Sequence, residues 1–202
     1  MTRTDDTWPD GPSTHVNRRD VLACVAGLTA GGTALKMAAG KAAQAAELPK
    51  TDNPDVTLSE ICQVAIVVKD IEREAKRCAR LLGMEVPQIV LTDTEEKAHT
   101  RFRGAPTSAQ AKLAFFRFGS MVLELIEPVG GPSTWKEFLD EHGEGVHHIA
   151  FHIKGMDRVL KVLEGKGFPT IQTGDFEGGR YAYVDTTPVL KTIVELLEIE
   201  SS

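Results

Sequence analysis

Four polar residues with the chemistry of metal ligands stand on apolar stretches of this chain: Gln63, Glu124, His148 and Glu195. Their surroundings are duplicated. Gln63-Val64-Ala65-Ile66-Val67-Val68-Lys69 recurs in pattern as His148-Ile149-Ala150-Phe151-His152-Ile153-Lys154, and Met121-Val122-Leu123-Glu124-Leu125-Ile126-Glu127 as Thr192-Ile193-Val194-Glu195-Leu196-Leu197-Glu198. Gln63 therefore holds the place of His148, and Glu124 that of Glu195. Each stretch reads as a strand whose side chains alternate between faces. Gln63 then shares a face with Ala65 and Val67, and His148 with Ala150 and His152. Glu124 lies with Val122 and Ile126, and Glu195 with Ile193 and Leu197. An unpaired carboxylate or amide among such neighbours is costly. If the copies are related by a pseudo-twofold axis, the four side chains converge on one point, where a divalent cation removes that cost. Two carboxylates balance its charge, and amide oxygen and imidazole nitrogen complete the shell. Ala65 and Ala150 are small and leave room above it. A single buried histidine is ordinarily a hydrogen-bonded core residue and a strand glutamate ordinarily an edge residue; the repetition argues for ligands instead. Glu127 and Glu198 alternate away from the point and read as solvated, and His147 reads as facing the other way.

The elements that must position these residues follow from periodicity and punctuation. Residues 61–68 read as a strand, then Asp70 caps a helix over about 71–82 that stops at Gly83. A strand near 84–91 precedes a polar loop from Thr92 to Gln110, and strands 112–118 and 121–127 join at Gly119-Ser120. Gly130-Gly131-Pro132 leads into a short amphipathic helix around Thr134–Glu141. The second copy runs strand 146–153, helix 155–165 and strands 169–173, 180–185 and 190–198. Each copy is β-α-β-β-β, which predicts an α+β domain over 61–199, with modules 61–128 and 146–199 whose sheets curl around a shared cavity.

On these residues the chain resembles the vicinal oxygen chelate superfamily, which includes glyoxalase I, methylmalonyl-CoA epimerase, extradiol dioxygenases and bleomycin resistance proteins. The resemblance covers residues 61–199 and rests on the CQVAIVVKDIEREAKRCARLLG opening, the LAFFRFGSMVLELIEP hairpin, the GEGVHHIAFHI strand and the closing TIVELLE. It places the metal ligands on Gln63, Glu124, His148 and Glu195, a set similar to that of glyoxalase I-like sites.

That set separates reactions. Ring-cleaving dioxygenases of the superfamily hold Fe(II) with two histidines and one carboxylate, whereas here Gln63 stands at the second histidine's place. An oxygen-rich shell suits a redox-neutral Lewis acid such as Zn, Ni, Co or Mn, which polarises a carbonyl. Glu195 or Glu124 is then the catalytic base for a proton α to that carbonyl, giving epimerisation, isomerisation or a glyoxalase-type rearrangement of a small oxo or hydroxy compound. A dioxygenase with an unusual shell and a non-catalytic, resistance-type binder are the alternatives. Substrate-binding candidates are His152 on the ligand face, Arg101 and Arg103 in the polar loop with Lys97 and His99, and Trp135 at the mouth.

The first 45 residues read separately. Arg18-Arg19 precedes a Gly- and Ala-rich apolar run from Val21 to Leu35, and Ala43-Gln44-Ala45 has a small-x-small cleavage pattern. This is the layout of a twin-arginine export signal cleaved after Ala45, which predicts a periplasmic or secreted protein. The run is too short for a membrane span of about 20 residues. Residues 46–60 are polar and Pro-punctuated and read as a linker. Of the 23 Lys/Arg and 29 Asp/Glu, five and four lie in residues 1–45, so the remaining 157 residues carry 18 and 25. The resulting charge of −7 leaves no basic run for nucleic acid or an anionic membrane. A small-molecule substrate is the expected partner, and the resemblance allows a homodimer. Cys62 and Cys78 read as buried thiols between helix and sheet, with a disulfide as the alternative.

Overall fold

The computed structural model describes residues 56–200, so the expected leader and the first part of the expected linker lie outside the described residues. A single mixed sheet of ten strands runs in the order β2-β5-β6-β1-β7-β10-β9-β8-β3-β4. Its strands are β1 (Ile61–Val67), β2 (Val90–Leu91), β3 (Arg101–Phe102), β4 (Ala105–Pro106), β5 (Gln110–Phe118), β6 (Met121–Val129), β7 (Gly145–His152), β8 (Thr170–Phe176), β9 (Gly179–Val184) and β10 (Ile193–Ile199). The helices are α1 (Ile71–Leu82), α2 (Glu95–Ala98), α3 (Thr134–His142), α4 (Met156–Gly165) and α5 (Thr187–Leu190).

The two expected modules are present, as β1-α1-β2-β5-β6 and β7-α4-β8-β9-β10. Within each, the first strand pairs in parallel with the last, β1 with β6 and β7 with β10. The modules meet where β1 and β7 pair antiparallel, with Gln63 opposite Ala150 and Ala65 opposite His148. That swap of partners is what a twofold axis between the strands produces. The sheet curls so that its inner face buries Ala65, Val122, Phe115, Ala150, Tyr181, Tyr183 and Leu197 in one cluster. On the outer face α1 packs Ile71, Ala75 and Ala79 against Phe116 and Leu125, and α4 packs Met156 and Val159 against Val194 and Leu196. Val56 and Leu58, at the end of the expected linker, pack against the α4 cluster.

The helices begin and end as their sequence signals require. Asp70 accepts from the Arg73 backbone N–H at 3.0 Å, and Gly83 closes α1 in the left-handed region at φ 66°. Glu127 and Glu198, expected as solvated, instead cap the helices of the two modules. Glu127 accepts from the Ile71 N–H at 2.8 Å and pairs with Lys112 at 2.9 Å. Glu198 accepts from the Gly155 and Met156 N–H groups and pairs with Arg180 at 2.7 Å. The physical reason is the orphan donors at each helix start, which attract a carboxylate from the adjacent strand.

Two other expectations change. The strand expected near 84–91 shortens to Val90–Leu91, and the loop expected over 92–110 holds α2 and the β3–β4 hairpin. β3 pairs with β8, so this first-module segment extends the edge of the second module. No helix among the described residues is long and apolar enough to cross a membrane.

Candidate metal centre

Gln63, Glu124, His148 and Glu195 meet at the middle of the sheet's inner face. The register explains why. Glu124 of β6, Ala65 of β1 and His148 of β7 form one cross-strand row, and Gln63 of β1, Ala150 of β7 and Glu195 of β10 form the next. Side chains in such rows share a face, so the twofold axis passes between the rows and relates Gln63 to His148 and Glu124 to Glu195. The alanines give the four larger side chains space to lean together.

The contacts are short. Gln63 Nε2 donates to Glu124 Oε2 at 2.8 Å and to Glu195 Oε2 at 3.1 Å, and lies 3.3 Å from His148 Nε2. His148 Nε2 is 3.1 Å from Glu195 Oε2 and 3.6 Å from Glu124 Oε2. The ligand atoms of Glu124, His148 and Glu195 all lie within 4.8 Å of one another. Gln63 is 1% exposed and the other three are fully buried.

The cluster fits a divalent cation on its own chemistry. Two fully buried carboxylates that share one amide donor would together balance the charge of a divalent cation. The amide supplies a second observation: Gln63 Oε1 is buried with no hydrogen-bond partner among the described residues. The two ends of an amide are nearly isosteric, so a half-turn brings Oε1 to the centre, a position favourable once a cation is there. One nitrogen and three oxygen donors are a set that a divalent cation accepts.

Two bulges shape the inner face further, and alternation does not reveal them. Ile61 pairs with Phe151 and Gln63 with Ala150, which makes Cys62 an extra residue in β1. Ala65 pairs with His148 and Ile66 with Val146, which makes His147 an extra residue in β7. The extra residues sit at equivalent places, one before Gln63 and one before His148. Both therefore join the inner side, contrary to the strict alternation expected for them. Cys62 packs in the inner cluster and its Sγ donates to the Ala150 carbonyl at 3.3 Å. Burial first, then the nearby Glu195, push its thiol pKa up to about 12. His147 is 1% exposed, with its Nδ1 2.9 Å from His148 Nδ1. Burial, then the adjacent His148, hold its pKa well below the usual imidazole value, the Thr134 main chain opposing. Cys62 and Cys78 are free thiols.

Helix α3 lies over this face, against β1, β6 and β7. Trp135 is buried, and its indole N–H donates to Tyr183 Oη at 2.9 Å. The Tyr183 ring in turn lies 4.8 Å from the His148 ring. The buried Gln172 accepts from the Thr134 backbone at 2.8 Å and donates to Tyr181 at 3.2 Å, tying the start of α3 to β8 and β9. Trp135 thus pins α3 to β9 through Tyr183.

The remaining sequence candidates make contacts of their own. Arg101 donates to the Gly104 carbonyl at 3.1 Å, and Arg103 makes a two-pronged pair with Glu137 of α3 at 2.8 and 3.0 Å. His99 pairs with Asp175 at 2.8 Å and Lys97 with Asp93 at 3.8 Å. These loop side chains brace the hairpin and α3. His152 is exposed and lines a separate surface cavity of about 350 Å³ with Val56, Thr57, Lys154 and Arg158.

Comparison with known proteins agrees with this architecture. A 92-residue stretch is 33% identical to the uncharacterized protein YqjC of Bacillus subtilis strain 168, covering 44% of this chain and 66% of that relative's length. The fold is similar to that of hypothetical protein BH1468 from Bacillus halodurans C-125, with a TM-score of 0.51, 19% identity and coverage of 71% of this chain and 96% of the other. It is also similar to a methylmalonyl-CoA epimerase in complex with methylmalonyl-CoA and NH4+, with a TM-score of 0.52, 21% identity and coverage of 72% and 100%. At those identities the two structures speak for the fold. Residues 62–184 match the family model for the Glyoxalase/Bleomycin resistance protein/Dioxygenase superfamily, and the chain belongs to that superfamily.

Proposed function

We propose that the protein is a divalent-metal-dependent, redox-neutral enzyme that removes a proton α to a carbonyl of a small oxo or hydroxy compound, as an epimerase, isomerase or glyoxalase-type lyase. The observation that carries this reading is the convergence of Gln63, Glu124, His148 and Glu195 within hydrogen-bonding distances. These residues would hold the metal, which when bound polarises the substrate carbonyl and acidifies the adjacent C–H. Glu195 and Glu124 are the candidate bases. One can take the proton on a carboxylate oxygen while the other supplies a proton to the opposite face of the same carbon, or the first can return it to the neighbouring carbon. Trp135 and the rest of α3 exclude bulk water, which strengthens every electrostatic interaction at the centre. One protein that shares this fold is named an epimerase and was solved in complex with methylmalonyl-CoA.

A single histidine in the shell favours this over iron-dependent ring cleavage, because His147 points its Nδ1 at its neighbour. The testing experiment is a screen for solvent-deuterium exchange at the α-carbon of hydroxy- and oxo-carbonyl compounds, with metal-loaded protein. Exchange that disappears in Glu195→Gln supports the reading; oxygen uptake with ring opening, and no exchange, would replace it. The leader read in residues 1–45 would make this an exported enzyme. Ala46 as the first residue of exported protein is the expected result, and an intact Met1 there would contradict export.

A further inference from the structure

The bulge that delivers His148 also supplies its companion. His147 turns onto the inner face with its ring 5.2 Å from that of His148 and nearly perpendicular, at 79°. Phe138 and Tyr183 hold the His147 ring edge-on at 5.4 and 5.5 Å. The two Nδ1 atoms are 2.9 Å apart. At that distance two lone pairs repel, and so do two N–H groups, so the pair is bound only when one nitrogen carries a proton and the other accepts it. The tautomers of the two rings are therefore linked.

We infer that His147 is a positioning residue for the metal centre: by accepting the Nδ1–H of His148, it fixes that ring and leaves the Nε2 lone pair aimed at Gln63, Glu124 and Glu195. The inference rests on the metal reading above. A ligating imidazole must be bare at the bonding nitrogen, and a histidine ligand usually donates its other N–H to a fixed acceptor. Here that acceptor is a second imidazole. Without a cation the roles reverse. His148 Nε2–H then faces Glu195 Oε2 at 3.1 Å, and His147 Nδ1–H donates to His148. A cation there would need His148 bare at Nε2, which puts the shared proton on His148 Nδ1 and leaves His147 Nδ1 as the acceptor. The equivalent bulge position in the first module is Cys62, beside Gln63, an amide with no tautomer to fix.

The test is nitrogen-15 NMR of the histidine rings with and without Zn, together with Zn affinity by chelator competition in wild type, His147→Phe and His147→Asn. We expect His148 protonated on Nδ1 in the Zn-loaded protein and on Nε2 in the metal-free protein, with nitrogen–nitrogen coupling across the shared hydrogen bond. His147→Phe should weaken Zn binding about 10- to 100-fold, and His147→Asn, which keeps an acceptor, should recover part of it. Binding by folded His147→Phe within about twofold of wild type would overturn the inference while leaving the metal reading intact. Absence of the tautomer exchange in wild type would also overturn it, without any variant. Wild type that takes up no Zn would remove both.

Discussion

Gln63 Nε2 lies 3.3 Å from His148 Nε2, although 85 positions separate the two residues in the chain. They are the same position of a duplicated unit, brought face to face by the β1–β7 pairing. One contributes an amide and the other an imidazole. Neither is a carboxylate, and both lie within reach of Glu124 and Glu195.

The amide of Gln63 gives the first prediction. Gln63→Glu puts a third carboxylate beside Glu124 and Glu195, where like charges raise one another's energy. The metal-free variant should melt well below wild type, and saturating Zn should raise its Tm more than it raises that of wild type. Differential scanning calorimetry with and without metal checks this. Equal metal-induced shifts in the two proteins would show that Gln63 does not face the cation.

Cys62 should be chemically silent despite its place beside the centre. Its thiol stays protonated up to about pH 12 in the folded protein, against 9.0 for an ordinary cysteine. Alkylation of native protein at pH 8 followed by peptide mass spectrometry should modify Cys78 first, with Cys62 reacting only after unfolding. The same shift has a stability consequence. A raised folded-state pKa gives stabilisation that is complete below pH 9 and is lost as pH climbs towards 12. Cys62→Ala should therefore flatten the alkaline limb of a urea-denaturation series.

The carboxylate caps provide a paired test. Burial raises the Glu198 carboxyl, but the Arg180 guanidinium and the Met156 and Gly155 N–H groups outweigh it and hold the pKa below the usual value. Its contribution is present above that usual value and is lost as pH falls through the lowered one. Glu198→Gln should cost about 1–3 kcal/mol at neutral pH and less near pH 3. Glu127→Gln should cost a similar amount at neutral pH, because it serves α1 as Glu198 serves α4. Urea denaturation at both pH values measures the Glu198 effect directly.

Trp135 separates covering from bonding. Trp135→Ala should destabilise the protein by about 3–5 kcal/mol through the cavity it leaves. Trp135→Phe keeps much of the ring and removes the donor to Tyr183, so about 1–2 kcal/mol is expected. Opening the cover should also speed metal loss to a chelator in the alanine variant, and an unchanged off-rate there would show that α3 does not shield the centre.

The sequence made the repeat legible, and with it the two modules, the α1 caps at Asp70 and Gly83, and the convergence of the four polar residues. Alternation on regular strands was enough to put Gln63 with Ala65 and Glu124 with Val122. It failed at Cys62 and His147, because an extra residue in a paired strand is visible only once its partner's register is known. It also failed at Glu127 and Glu198, since a strand pattern says which face a residue leaves by, but not that a helix start waits there. The Thr92–Gln110 loop gave no long periodic run. Its hairpin is held by the edge of β8, a partner about 70 residues away that no local pattern announces.

The central claim is that these four side chains bind one divalent cation. Metal analysis of the purified protein, stripped, repleted with Zn, Ni, Co or Mn and freed of excess, should give about one equivalent per chain for wild type and a large loss for Glu195→Gln. Less than about 0.1 equivalent in folded wild type with every metal would contradict the account.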